Sequence, residues 1–138
     1  MSGRLLLDTC ALLWIGQGDE ISAEARSALD RSWRDGFSPA ISPMTAWELS
    51  LLAARGRLSL TSPVAKWWER ACAELHLEVC ALSPAILMQS NQLPGEPHRD
   101  PADRILIATA RELGLNLLTR DRKILDYAAA GHVMALSC

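Results

Sequence analysis

Along this chain, short runs of apolar residues alternate with longer segments in which apolar positions return every three or four residues. The runs at residues 5–7, 37–41, 77–82, 115–119 and 133–136 are strand candidates. Short continuous apolar stretches suit strands covered on both faces of a parallel sheet. Pro39 makes the second run a poor central strand, because proline cannot donate to the ladder. Between the runs, Ser42-Pro43, Ser62-Pro63 and Ser83-Pro84 each pair a helix-capping side chain with a proline preset for the first helical position. The first opens a helix that reaches Arg55 and stops at Gly56; the second runs through Trp67, Trp68, Ala71 and Leu75. A further helix starts near Pro101 and closes at Gly114. This alternation predicts an α/β fold, a mainly parallel sheet flanked by helices, with ligands bound beyond the carboxyl ends of the strands. No repeat, low-complexity tract or linker interrupts residues 1–138, so one domain is expected.

Composition narrows the class. A chain of 138 residues buries roughly two-thirds of its unfolded surface and needs no disulfide. No apolar run approaches the roughly 20 residues that span a bilayer, and Met-Ser-Gly-Arg at the start lacks the form of a secretory signal, so a soluble cytoplasmic protein is expected. Cys10, Cys72, Cys80 and Cys138 form no CxxC pair and, with His76, His98 and His132 scattered among them, no zinc spacing; packed, reduced thiols are the reading. A net charge of -2 excludes a protein that clings to nucleic acid through overall basicity, while leaving room for local clusters of either sign.

Four carboxylates stand where chemistry is expected. Asp8 directly follows the first strand, at a position that also suits a turn or a helix cap. Glu48 borders the helix face marked by Met44, Trp47, Leu51 and Leu52; alone, it would read equally as a solvated surface charge. Asp100 precedes Pro101 and suits the N-cap, whereas Asp103 lies in the first turn, where the helix dipole favours its anion. Asp121 ends the segment Leu117-Leu118-Thr119-Arg120-Asp121, a second aspartate at the end of an apolar strand. If both strands are central, Asp8, Glu48, Asp103 and Asp121 converge, and their mutual repulsion calls for cations or shared protons. An all-oxygen donor set suits Mg2+ or Mn2+. Two such ions about 4 Å apart can activate water and clamp a phosphodiester during in-line displacement, with no Ser, Cys or His nucleophile.

These blocks resemble PIN-domain ribonucleases, and within them the VapC-like toxins of type II toxin–antitoxin pairs. Leu5-Leu6-Leu7-Asp8-Thr9-Cys10-Ala11-Leu12-Leu13-Trp14 is similar to the family's opening LLLDTHALLW. Residues 42–57 resemble its Trp-Glu block, His98 to Ala110 its HRDPxDRxLIAxA block, and Leu117 to Asp121 its LxTRD block. The resemblance implies a five-stranded parallel sheet, a homodimer, and a small antitoxin as partner. It implies a metal-dependent endoribonuclease that leaves a 5′-phosphate and a 3′-hydroxyl. It also implies Asp8, Glu48, Asp103 and Asp121 as metal ligands, Thr9 and Thr119 as supporting hydroxyls, and Asp100 as a capping or supporting acid. Cys10 departs from the pattern, standing where close relatives often carry His.

Arg99, Arg104, Arg120, Arg122 and Lys123 flank the acids, Arg104 and Arg120 being the preferred substrate contacts; each also reads as an ordinary solvated charge or ion-pair partner. Of the tryptophans, Trp14, Trp33, Trp47, Trp67 and Trp68, any can stack on bases, but Trp47 and Trp67 recur at core spacing. Trp67 and Trp68 cannot share one helix face, so one of them is expected to be exposed or at an interface with an antitoxin or a second subunit. Two competing functions remain: an acid-pocket phosphotransferase, disfavoured because Asp8 is followed by Thr9 and Cys10 rather than a second acid, and a catalytically silent module whose acids grip a partner's Arg or Lys.

Overall fold

A computed structural model describes residues 4–138; residues 1–3, where the N-terminal stretch read for a secretion signal begins, lie outside them. In chain order the elements are β1 (Leu5–Leu7), α1 (Thr9–Gly16), α2 (Ala23–Arg34), β2 (Ala40–Ile41), α3 (Pro43–Ala54) and α4 (Val64–Glu74). They continue with β3 (Glu78–Val79), α5 (Pro84–Gln89), α6 (Pro101–Leu113), β4 (Asn116–Thr119), α7 (Arg122–Ala129) and β5 (Ala135–Ser137). The five strands form one sheet in the order β3-β2-β1-β4-β5, and every pairing is parallel. Strand order reverses at β1, which makes the β1/β4 boundary a topological switch point, the place where open α/β sheets form a crevice.

Strand alternation separates two cores. Leu5 and Leu7 of β1, Ile41 of β2 and Leu118 of β4 face α1, α2, α3 and α4 through Leu12, Leu29, Leu49 and Trp67. Leu6, Ala40 and Leu117 point the other way, onto Leu106, Ile107 and Ala110 of α6 and Ile124 and Tyr127 of α7. Leu6 and Leu7 are both fully buried, on opposite faces. Truncating either to Ala is expected to cost about 2–5 kcal/mol. On the first side α1 lies so close to α4 that a Cβ on Gly16 would stand 2.9 Å from Trp67 Cζ2.

Local cap chemistry marks several boundaries as the sequence predicts. Ser42 Oγ accepts from Met44 N, and Ser83 Oγ accepts from Ile86 N, each with proline next in the chain. Asp100 caps α6, which ends on the left-handed Gly114 at φ 66°. The opening of α4 differs: Pro63 itself occupies the cap position without a side-chain bond, and Ser62 Oγ is buried without a partner.

Other boundaries moved. The second strand shortens to Ala40–Ile41 because Pro39 can only accept, taking Glu78 N–H at 2.9 Å, and Phe37 is exposed. The third shrinks to Glu78–Val79 at the sheet edge, where short, exposed pairing limits association with other chains. Helices α1, α2 and α7 carried no proline signal and were not anticipated. Trp67 is buried as expected, and Trp68 is half-buried against the same core. Trp47 is the correction: it is 54% exposed. The buried stripe of α3 runs through Thr45 and Leu49, each two residues and therefore about 200° around the helix from Trp47. Among the described residues no helix is long and apolar enough to cross a membrane.

Candidate active site

Parallel register brings the first two acids together. Leu7 pairs with Leu118, and Asp8 N–H continues the ladder to Leu118 O at 3.1 Å. Asp8 and Asp121 therefore leave adjacent strands at the switch point, each at the entry to a helix. Asp8 caps α1, its Oδ1 accepting from Ala11 N at 2.7 Å. Asp121 caps α7, its Oδ1 accepting from Lys123 N at 2.8 Å and Ile124 N at 3.2 Å. The capping reading and the site reading of these aspartates are thus compatible: one oxygen holds the helix end while the other is left for a side-chain partner, Thr119 for Asp8 and His98 for Asp121.

Threonine hydroxyls organise one half of the site. Thr119, fully buried, donates to Asp8 Oδ2 at 2.5 Å and accepts from Asp121 N at 3.0 Å, linking the two strand-end acids. Thr9 donates to Glu48 Oε1 at 2.6 Å and lies 3.2 Å from the Thr45 hydroxyl. Because Thr9 gives its single proton to Glu48, Thr45 is the donor of that second pair. Thr45, buried in α3 three residues before Glu48, was not singled out in the sequence; an i, i+3 polar pair on a buried helix face was its available signal.

An imidazole organises the other half. His98 Nε2 lies 3.1 Å from Asp121 Oδ2 and 3.3 Å from Asp103 Oδ2. Its Nδ1 accepts Asp100 N–H at 3.0 Å, which leaves the ring proton on Nε2, shared between the two carboxylates. His98, Asp103 and Asp121 can each offer one donor atom within 4.8 Å of the others. His98 opens the block that resembles HRDPxDRxLIAxA, yet nothing in its spacing signals a role or that a loop folds it back onto two acids. Asp100 spends Oδ1 on Ala102 N and Asp103 N, as the N-cap assignment expected.

Electrostatics tie the halves into one centre. Burial raises the pKa of Asp8, opposed by the Thr119 and Ala11 bonds and reinforced by Asp121. Burial likewise raises Glu48, opposed by Thr9 and reinforced by Asp100 and Asp8. Asp103 rises to about 7, chiefly by desolvation, with the His98 ring opposing and Asp100, Asp121 and Glu48 adding repulsion. The thiol of Cys10, an exposed residue, is pushed up to about 11 first by partial desolvation and then by Asp8, Glu48, Asp103 and Asp121. Acids that resist losing their protons together are those that a divalent cation would neutralise, and their oxygens are the donors that a hard cation prefers.

The two arginines preferred as substrate contacts part company. Arg120 donates from Nε to Cys138 O at 3.0 Å and from a terminal nitrogen to Glu20 O at 2.8 Å, and stacks 3.9 Å over the Trp14 ring. Its guanidinium is occupied in tying the C-terminal strand to the loop before α2. Arg104 keeps a buried Nε without a partner.

Acids gathered at the switch point of an all-parallel sheet define an α/β protein with a carboxylate centre suited to a divalent metal. The chain belongs to the PIN-domain family, whose sequence profile matches residues 5–130. It is 30% identical over 121 residues to Ribonuclease VapC22 of Mycobacterium tuberculosis (strain ATCC 25618 / H37Rv), spanning 87% of this chain and 88% of that relative. Among solved structures it is similar to a toxin–antitoxin complex from Klebsiella pneumoniae, at 25% identity and a TM-score of 0.61 over 96% of each chain. In fold it also matches VapBC2 from Rickettsia felis bound to a promoter DNA fragment, with a TM-score of 0.63, 12% identity and coverage of 97% and 98%.

Proposed function

We propose that residues 1–138 work as one PIN domain, a metal-dependent endoribonuclease toxin of a VapBC-type pair, cutting RNA phosphodiesters at the centre formed by Asp8, Glu48, Asp103 and Asp121. The observation that carries this reading is the hydrogen-bonded chain at the switch point, in which Thr119 links Asp8 to Asp121, His98 links Asp121 to Asp103, and Thr9, next to Asp8 in the chain, holds Glu48. The relatives' names support the ribonuclease and the antitoxin partner.

Asp8, Glu48, Asp103 and Asp121 would hold Mg2+ or Mn2+, which when bound supplies charge neutralisation for the phosphodiester and acidifies water. Thr119 keeps an Asp8 oxygen in place and Thr9 orients Glu48, so the carboxylates need little rearrangement to bind. The Nε2–H of His98 stabilises Asp103 and Asp121 while no cation neutralises them. Thr9, Thr119, Asp100 and Arg104 support the centre, and a homodimer acting in the cytoplasm completes the proposal.

The test is cleavage of a mixed cellular RNA pool by purified, antitoxin-free protein with magnesium, manganese or a chelator, beside Asp8→Asn and Asp103→Asn. Discrete metal-dependent products bearing 5′-phosphates are expected, reduced on the order of 10²–10³-fold in either variant. Absence of cleavage by well-folded protein would favour the silent binding module, and turnover of a phosphate monoester without RNA cleavage would favour the phosphotransferase.

A further inference from the structure

His98, bonded to Asp103 and Asp121, also lines a cavity of about 860 Å³ beside the acid centre, within the range of roughly 300–1,000 Å³ seen for ligand clefts. Arg99, Arg104 and Lys123 line it together with Glu96 and Asp126. Its floor is built rather than loose. Tyr127, buried in the second core, donates to Pro94 O at 2.5 Å and packs its ring 4.8 Å from that of His132. Gly95, at φ +69°, presses on that His132 so closely that a Cβ would lie 2.7 Å from Nε2.

The lining carries one more cation than acid, and three observations show that its cations are held there for a reason other than stability. Among the described residues, the ion pairs within 4.0 Å are Arg4 with Glu78 and His98 with Asp103 and Asp121, so Arg99, Arg104 and Lys123 are in none. Arg104 Nε is buried without an acceptor, the state that an incoming anion relieves. Arg104 and Lys123 also stand in the first turns of α6 and α7, where the helix dipole favours anions over cations.

We propose that this cavity holds the RNA backbone beside the acid centre, with Arg99, Arg104 and Lys123 gripping successive phosphates next to the scissile bond. The strand's identity rests on the nuclease reading above; the cation cluster can be tested apart from it. A centre rich in carboxylates repels the polyanion it must cut, and cations one nucleotide away supply the attraction that the centre lacks.

The experiment is fluorescence anisotropy with a short fluorescein-labelled single-stranded RNA of mixed sequence, in chelator, across a salt series. It compares the wild type with Arg99→Ala/Lys123→Ala and with Arg31→Ala/Arg34→Ala, which removes equal charge from α2 on the opposite face of the sheet. Arg99 and Lys123 are exposed, so their removal leaves the fold intact. The cavity variant is expected to bind on the order of tenfold more weakly and to lose about 1.4 from the slope of log K against log salt, at about 0.7 per single-strand phosphate contact; the α2 variant should match the wild type. Equal losses in both variants, no loss in the cavity variant, or no binding by the wild type at low salt would each overturn the proposal. Wild-type binding through the cluster without cleavage in magnesium would break the nuclease reading and keep the subsite. Cleavage with an unchanged KM in the cavity variant would do the reverse.

Discussion

On one side of the acid centre Asp8 and Glu48 are held by the hydroxyls of Thr119 and Thr9; on the other, Asp103 and Asp121 share one imidazole proton from His98. Asp8 in the first half is the driest of the four acids, whereas Glu48 is half-buried like Asp103 and Asp121. Asp8 is 7% exposed, whereas the side chains of Asp103 and Asp121 are 23% and 32% exposed. A buried carboxylate requires a permanent donor, and a threonine hydroxyl locked between two strands is one. A carboxylate pair nearer solvent can rely on a donor that gives way when a cation arrives. The difference teaches that the hydroxyl half is a fixed template and the imidazole half is a place-holder for charge.

The comparison breaks most directly at Thr119. Thr119→Val leaves Asp8 Oδ2 buried with no donor and should cost about 1–3 kcal/mol in urea unfolding, with added Mg2+ recovering only part of it. His98→Ala removes a donor from a more solvated pair. Its expected cost is smaller, about 1 kcal/mol without metal, and should vanish on adding Mg2+. Equal recovery of the two variants in magnesium would erase the distinction between template and place-holder.

The imidazole half also shows in the pH dependence. The folded-state pKa of Asp103, about 7, lies above its value in the unfolded chain, so the folded state binds more protons through the interval between them. Metal-free stability should therefore be greatest in mild acid, fall as pH rises from about 4 through about 7, and level off above. Metal binding needs the anion, so the gain in Tm from Mg2+ should grow over the same interval. Asp103→Asn should flatten both trends in thermal melts; an unchanged slope in that variant would assign the titration to another group.

Much of this was legible from local chemistry. A serine followed by proline announces a helix within one turn of itself, and α3 and α5 begin where those pairs stand; Asp100-Pro101 and Gly114 bound α6 in the same way. Acids at the ends of apolar strands were readable too, because a parallel sheet exposes its carboxyl ends to ligands. Strands of two residues have no period to detect, so β2 and β3 were drawn too long. Helix α7 was hidden because its cap, Asp121, also reads as the end of a strand. Trp47 misled because an apolar residue on a helix can belong to either of two neighbouring stripes, and only packing against the sheet selects one.

By itself, then, the sequence determined the class of fold, the candidate acids at the strand ends and the helix starts that rest on short-range capping. Tertiary structure alone decided that His98 bridges Asp103 and Asp121, that Thr45 backs Thr9, that Arg120 is a strut while Arg104 keeps an unpartnered donor, and that Arg99 and Lys123 meet across one cavity. The physical reason is reach. Caps and periodicity act over a few residues of one segment, whereas a hydrogen bond between side chains 23 positions apart, such as that of His98 with Asp121, exists only once sheet register and helix packing have set both ends.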